Sequence, residues 1–263
     1  MATPTFTRLR CERDGHVLSI GLARPEKRNA FDVAMYEELG LAYALLDRDP
    51  ELRVGVLHAV GEHFTGGLDL PEWGPIFASG TFPIREGGLD PLGIYGPRVT
   101  KPIVCAVQGI CLTIGIELLL STDVRVAATT ARFGQIEIKR GIYPVGGATV
   151  RLPREVGWSN AMRWLLTGDF LEASEAHRIG LVQEVVEPEA LFARAFSIAK
   201  IISEQAPLGV YATLASARAM ERDGERAALE RLLPDLAPIL ASDDAREGVA
   251  SFVERRQARF TGK

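Results

Sequence analysis

Between Ile103 and Leu120 the chain reads IVCAVQGICLTIGIELLL, with Gln108, Thr113 and Glu117 as its only strongly polar interruptions. A run of this length either crosses a bilayer as one helix or is buried as consecutive pieces of a core. Pro102 precedes it, and Gly109 and Gly115 punctuate it. β-Branched Ile103, Val104 and Val107 favour a strand at its start, and Glu117-Leu118-Leu119-Leu120 favours a short helix at its end. The stretch therefore reads as buried strand, turn and helix, not as a membrane span. Glu117 is then a carboxyl group inside apolar surroundings, where an unpaired charge is costly. A second acid, Glu137, follows Phe133-Gly134-Gln135 in the next apolar stretch. The simplest account places both glutamates in one apolar pocket beside a glycine-containing turn.

Composition narrows the class. A chain of 263 residues makes one large domain, or one domain with an appendage. Its 47% hydrophobic and 24% charged residues match a soluble globular protein. The net charge of −4 gives no basic field for nucleic acid. The opening MATPTFTRLR lacks the apolar centre of a signal peptide. Cys11, Cys105 and Cys111 form neither a CxxC pair nor an even framework, which points to reduced thiols and a cytoplasmic setting. His16, His58, His63 and His177 show no metal-ligand spacing, and no Ser–His–acid set or P-loop is present.

The periodicities predict an α/β start. Residues 16–22 alternate as a half-buried strand. ARPEKRNAF forms a polar loop carrying Arg24, Lys27 and Arg28. Asp32 caps a helix whose core face is Met35, Leu39, Ala42 and Leu46, and Asp49-Pro50 ends it. A strand over 53–59 follows. Next comes GEHFTGGLDL, whose Gly66-Gly67 pair permits close backbone approach to a ligand. The stretch Pro71–Pro97 shows no period and reads as a long loop suited to a binding lid. Helices over 159–167 and 173–179 and a strand over 182–186 lead into a mainly helical remainder. That remainder is broken at Pro207, Gly224 and Pro238, and its last helix runs from Ser242 to Phe260.

With these motifs in view, the chain resembles the crotonase family, the enoyl-CoA hydratase/isomerase superfamily. The likeness rests on ARPEKRNAF, HFTGGLDL, KPIVCAVQGICLTIGIELLLSTD, ARFGQIEIKRGIYP, GGATVRL, LLTGDFLEASEAHRIGLV and SDDAREGVASFVERRQARF, in that order along nearly the whole chain. The resemblance implies a spiral of repeated strand–strand–helix units over residues 1–200 and a helical oligomerisation region over 201–263. It also implies a homotrimer or dimer of trimers, and an acyl-CoA thioester as substrate. No metal or separate cofactor is implied, since coenzyme A belongs to the substrate. By position, the thioester oxygen would be held by the backbone N–H groups of Leu68 and Ile114. Glu117 and Glu137 match the two glutamates that flank the double bond in the family's hydratases. Arg24, Lys27, Arg28, Ala30, Gly67, Asp69 and Arg255 fall along the expected coenzyme A path.

The chemistry fits those residue types. Adding water beside a thioester builds charge on the thioester oxygen, which pre-aimed N–H donors stabilise. Two carboxyl groups can hold the water and exchange a proton with the α-carbon. Close carboxylates in an apolar site push one pKa upward, so that one is protonated while the other is ionised. Taken singly, Glu117 also reads as a helix N-terminal acid and Glu137 as an ion-pair partner of Lys139 or Arg140. Two departures from the family pattern stand out. Ile114 interrupts the usual glycine run and is expected to narrow the pocket or alter the donor backbone. Val145 replaces a glycine near the expected water site. The leading expectation is an enoyl-CoA hydratase. The alternatives are a double-bond isomerase, another crotonase-type enzyme, or a non-catalytic acyl-CoA-binding subunit.

Overall fold

The computed structural model describes residues 5–263. Residues 1–4, which open both the segment read for a signal sequence and the first expected domain, lie outside the described residues.

Strands β1 (Leu9–Asp14) and β2 (Val17–Leu22) form an antiparallel hairpin. Helix α1 (Val33–Arg48) then leads to β3 (Val54–Ala59), parallel to β2. The Asp32 carboxylate caps α1, accepting the Met35 N–H at 2.8 Å, a bond worth about 1 kcal/mol. Helix α2 (Leu70–Ser79) and a long connection reach β4 (Ile103–Val107), β5 (Ile110–Leu112) and α3 (Ile114–Leu119). Next come β6 (Val124–Ala128), β7 (Arg132–Gly134), α4 (Ala148–Val156), α5 (Trp158–Leu165), β8 (Leu171–Glu172), α6 (Ala173–Arg178) and β9 (Glu184–Val186). Five helices finish the chain: α7 (Leu191–Ser203), α8 (Pro207–Asp223), α9 (Glu225–Glu230), α10 (Leu232–Leu240) and α11 (Asp243–Glu254).

The strands form two sheets, a six-stranded one ordered β1-β2-β3-β4-β6-β9 and a three-stranded one ordered β5-β7-β8. β4 and β6 enter the large sheet while β5 and β7, which directly follow them, enter the small one. This is the expected spiral of strand–strand–helix turns. Alternation along the strands sorts their side chains. Val17, Val54, Val56, Val104, Ala106, Val126 and Ala128 pack under Leu191, Ala195 and Ala199 of α7. Leu18, Ile20, Leu57, Cys105 and Val107 face the opposite core with α1 and α3. Each large aliphatic side chain buried this way contributes about 1.5–3 kcal/mol.

Several expectations are corrected. The apolar run is strand, turn, second short strand and helix; β5 was hidden because the chain leaves one sheet for another within a continuous apolar sequence. The stretch from Pro71 onward opens with helix α2. Pro71, Gly74 and Pro75 obscure its period, yet Pro71 sits in the first turn, where no amide is needed. Trp73 anchors it, fully buried, with Nε1 donating to Phe31 O at 2.9 Å. Pro238 lies within α10 and does not end it. The last helix stops at Glu254, where Arg255 turns left-handed (φ 56°), instead of running to Phe260. No helix among the described residues is long and apolar enough to cross a membrane.

Candidate active site

Residues 64–68 run beside β5 and set the site's backbone. Thr65 N donates to Ile110 O and Leu112 N to Thr65 O, both at 3.1 Å. Gly66 N is taken by Arg28 O at 2.7 Å, and Gly67 N by the Thr65 hydroxyl at 3.1 Å. The next amide, Leu68 N–H, has no partner among the described residues. Neither has Ile114 N–H, the first of α3, for which a helix offers no acceptor. Leu68, Thr113, Glu117 and Glu137 all line one cavity of ≈ 200 Å³, and Ile114 follows Thr113 directly in the chain. Gly67 is required here. Its φ is +102°, and a Cβ would stand 2.6 Å from the Thr113 hydroxyl.

Glu117, on the first turn of α3, is 4% exposed. It accepts Gly146 N–H at 2.6 Å and, more weakly, Ala148 N–H at 3.4 Å. A side chain at Gly146 would overlap this carboxylate and force it to shift. Glu137 opens a 3₁₀ turn over Glu137–Arg140 and is 8% exposed. Its Oε2 is buried without a hydrogen-bond partner among the described residues. Burial, and then the charge of Glu137, pushes Glu117 up to about 8. Burial pushes Glu137 up to about 7. The Coulombic contribution to Glu117 lasts only while Glu137 is ionised. A proton on Glu137, whose Oε2 has no donor to stabilise a charge, therefore eases ionisation of Glu117, which has two. Glu117 is a helix N-terminal acid, as its simpler reading has it, but Glu137 pairs with neither Lys139 nor Arg140 among the described residues. Lys139 pairs with Asp169 at 3.7 Å, Arg140 forms no ion pair among the described residues, and the Glu117 carboxylate is bonded to a separate segment.

The remaining cavity wall is apolar, with Leu70, Phe77, Ile136, Ile142 and Val145, and Arg140 and Tyr143 are at its edge. Among the described residues no group of three or more His, Cys, Asp or Glu side chains is arranged to hold a metal.

A sequence model of the enoyl-CoA hydratase/isomerase family matches residues 12–263. The chain belongs to this family. It is 36% identical over 258 residues to the enoyl-CoA hydratase EchA19 of Mycobacterium tuberculosis, covering 96% of each chain. It is 32% identical to the 1,2-epoxyphenylacetyl-CoA isomerase of Escherichia coli, covering 94% of this chain and 95% of the isomerase. The crystal structure of a probable enoyl-CoA hydratase/isomerase from Mycobacterium abscessus superposes with a TM-score of 0.96 at 49% identity, covering 98% of this chain and all of that one.

Against the family pattern, the two expected departures resolve differently. The Ile114 side chain is buried in the core (1% exposed) and does not line the cavity. The unusual residue is its neighbour: Thr113 holds φ 50° and ψ −111°, a conformation suited to glycine, and its hydroxyl is buried without a partner. Sequence reasoning passed over Thr113. The signal was there, because the family's glycine run includes this position. Val145 lines the cavity, while the amide that meets Glu117 comes from Gly146.

The expected coenzyme A residues divide. Arg24 is largely buried, its guanidinium bonded to Ala30 O and Asp69 at 3.0 Å and 3.6 Å from Asp32. It ties the polar loop to Asp69, at the start of α2. Lys27 and Arg28 are exposed and form no ion pair among the described residues, and the Arg28 carbonyl holds Gly66. Arg255 is exposed in the cap of α11 and lines no part of the glutamate cavity.

Proposed function

We propose that the protein is an enoyl-CoA hydratase, adding water across the double bond of an α,β-unsaturated acyl-CoA. The observation that carries this reading is the meeting of two buried carboxyl groups with Leu68, whose backbone N–H has no partner among the described residues, at one small apolar cavity; the likewise unpartnered Ile114 N–H follows Thr113 of the same wall. The thioester oxygen sits between Leu68 N–H and Ile114 N–H, which stabilise the charge that grows there as the β-carbon is attacked. Ionised Glu117 takes a proton from water, whose oxygen bonds to the β-carbon. Protonated Glu137 gives its proton to the α-carbon. The pair ends with the proton moved from Glu137 to Glu117, and solvent exchange resets it. Lys27 and Arg28 meet the phosphates of coenzyme A, with the backbone to Ala30 and the Gly67–Asp69 segment along its path. Arg24 stiffens that loop. Arg255 serves a neighbouring subunit's coenzyme A in a trimer or dimer of trimers. Assembly has support in Leu229, Leu233, Leu240, Phe252 and Val253 of the last helices, all well exposed.

Glu117→Gln and Glu137→Gln test the pair. Each variant should lose on the order of a hundredfold in kcat while binding an unreactive acyl-CoA by calorimetry as the parent does. The double variant should lose little more than either single one, because the two serve one transition state. Near-parental hydration by either single variant would remove the paired-glutamate mechanism.

A further inference from the structure

The peptide unit joining Val145 to Gly146 makes a hydrogen bond at each end. Its N–H donates to Glu117 Oε1 at 2.6 Å. Its carbonyl accepts the Tyr95 hydroxyl at 2.7 Å. One planar amide thus stands between a phenol and the carboxylate, in the sequence O–H···O=C–N–H···O. A donor on the carbonyl polarises the amide and makes its N–H a stronger donor, and a stronger donor favours the ionised carboxylate.

The phenol is held firmly enough to act this way. Asp90, fully buried, accepts from Leu92 N at 3.0 Å, Ile94 N at 2.7 Å, Tyr95 N at 2.6 Å and the Tyr36 hydroxyl at 2.6 Å. The Tyr95 ring stacks on Phe82 with centroids 4.1 Å apart and planes 10° apart. Ile94 lies against Gly147, where a Cβ would come within 2.8 Å of it. The receiving peptide needs such a hold, because it belongs to no helix or strand. The other charged groups that act on Glu117 are Glu137, from the 3₁₀ turn, and Arg151 of α4, whose guanidinium rests on the Leu92 and Gly93 carbonyls. Asp90 and Tyr143 act on Tyr95 itself. Burial and the Glu117 charge keep the phenol above its usual pKa, so it remains a donor throughout the working range.

We propose that Tyr95 is a positioning residue for Glu117, fixing through the Val145–Gly146 peptide both the direction and the strength of the main hydrogen bond to that carboxylate. The proposal rests on Glu117 being the base of the hydration. No feature of the sequence joins Tyr95 to the site, since it lies in a stretch without period and far along the chain from Val145.

The test pairs two changes at one position. Tyr95→Phe keeps the ring stack and removes the donor. It should lower kcat about three- to tenfold, the scale of one hydrogen bond, leave KM for the enoyl-CoA nearly unchanged, and displace the Glu117 limb of the pH–kcat profile to higher pH. Site-specific 3-fluorotyrosine at position 95 makes the phenol a stronger donor without removing it, and should displace the same limb to lower pH. A merely structural hydroxyl would move neither limb. Unchanged profiles in both proteins overturn the proposal, as does a Tyr95→Phe loss confined to thermal stability. If Tyr95→Phe does not fold, the fluorotyrosine profile alone decides. Glu117→Gln, measured beside them, separates the two levels: full activity there defeats the hydratase reading, whereas an inactive Glu117→Gln with unmoved Tyr95 profiles defeats only the role of Tyr95.

Discussion

Replacing Glu117 with glutamine should make the protein more stable at alkaline pH while lowering kcat on the order of a hundredfold. Burial first, and the Glu137 charge second, raises the Glu117 carboxyl from its ordinary 4.5 to about 8. The folded protein therefore holds this proton over a range in which the unfolded chain has released it. Stability falls as pH rises from about 4.5 to about 8 and then levels off. At about 1.36 kcal/mol per pH unit, the full rise corresponds to roughly 5 kcal/mol carried by the folded state above pH 8. Glutamine removes the charge and still accepts the Gly146 N–H. Its own NH₂ finds no acceptor, at a cost of about 1–2 kcal/mol. The balance is a gain of about 3–4 kcal/mol at pH 8.5, or ~6–16 °C in Tm for a chain of this size. At pH 4.5 the parent glutamic acid is protonated, and the gain should vanish or reverse. Thermal unfolding of both proteins at pH 4.5, 7 and 8.5, at matched concentration, reads this directly. A variant no more stable than the parent at pH 8.5 would mean that Glu117 carries no burial penalty.

Hydration by the parent enzyme should show a bell-shaped pH dependence of kcat. Both limbs should lie near neutrality, above the ordinary carboxylate range, because activity needs exactly one proton on a pair raised to about 7 and about 8; a flat profile from pH 6 to 9 would contradict it. Gly67→Ala should lower kcat/KM at least tenfold and cost about 1–3 kcal/mol of stability, since φ +102° and the Thr113 hydroxyl leave no room for a methyl group; kinetics and denaturant unfolding check both. Light scattering at micromolar concentration should find a trimer or hexamer, and Phe252→Asp should shift it toward monomer.

The α/β class, the cap at Asp32 and the strand–turn–helix character of the central run were legible because each has a local cause: a period, a capping side chain, a glycine. So was the pairing of Glu117 with Glu137, since an acid inside an apolar run calls for an unusual environment. What stayed hidden depends on contacts between distant segments. The second strand in the central run exists because a separate sheet receives it. Helix α2 forms despite Pro75 because Trp73 finds a buried slot and a carbonyl. Ile114 looked intrusive by its bulk, yet the helix turns it into the core. The strain falls on Thr113, whose side chain is unremarkable in sequence and whose backbone angle is not. Arg24 looked like a phosphate ligand because it is a loop cation, but two buried or half-buried aspartates claim it. Charge alone could not distinguish it from Lys27 and Arg28, which are exposed and form no ion pair among the described residues.

Turnover of α,β-enoyl-CoA thioesters in ¹⁸O-enriched water, with the products resolved by mass and by the position of the label, tests the paired-glutamate hydratase most directly. A 3-hydroxyacyl-CoA carrying ¹⁸O on the β-carbon, formed by the parent and lost in both Glu117→Gln and Glu137→Gln, is the predicted result. A product of unchanged composition with a moved double bond, or labelled product formed equally by the glutamine variants, would contradict the account.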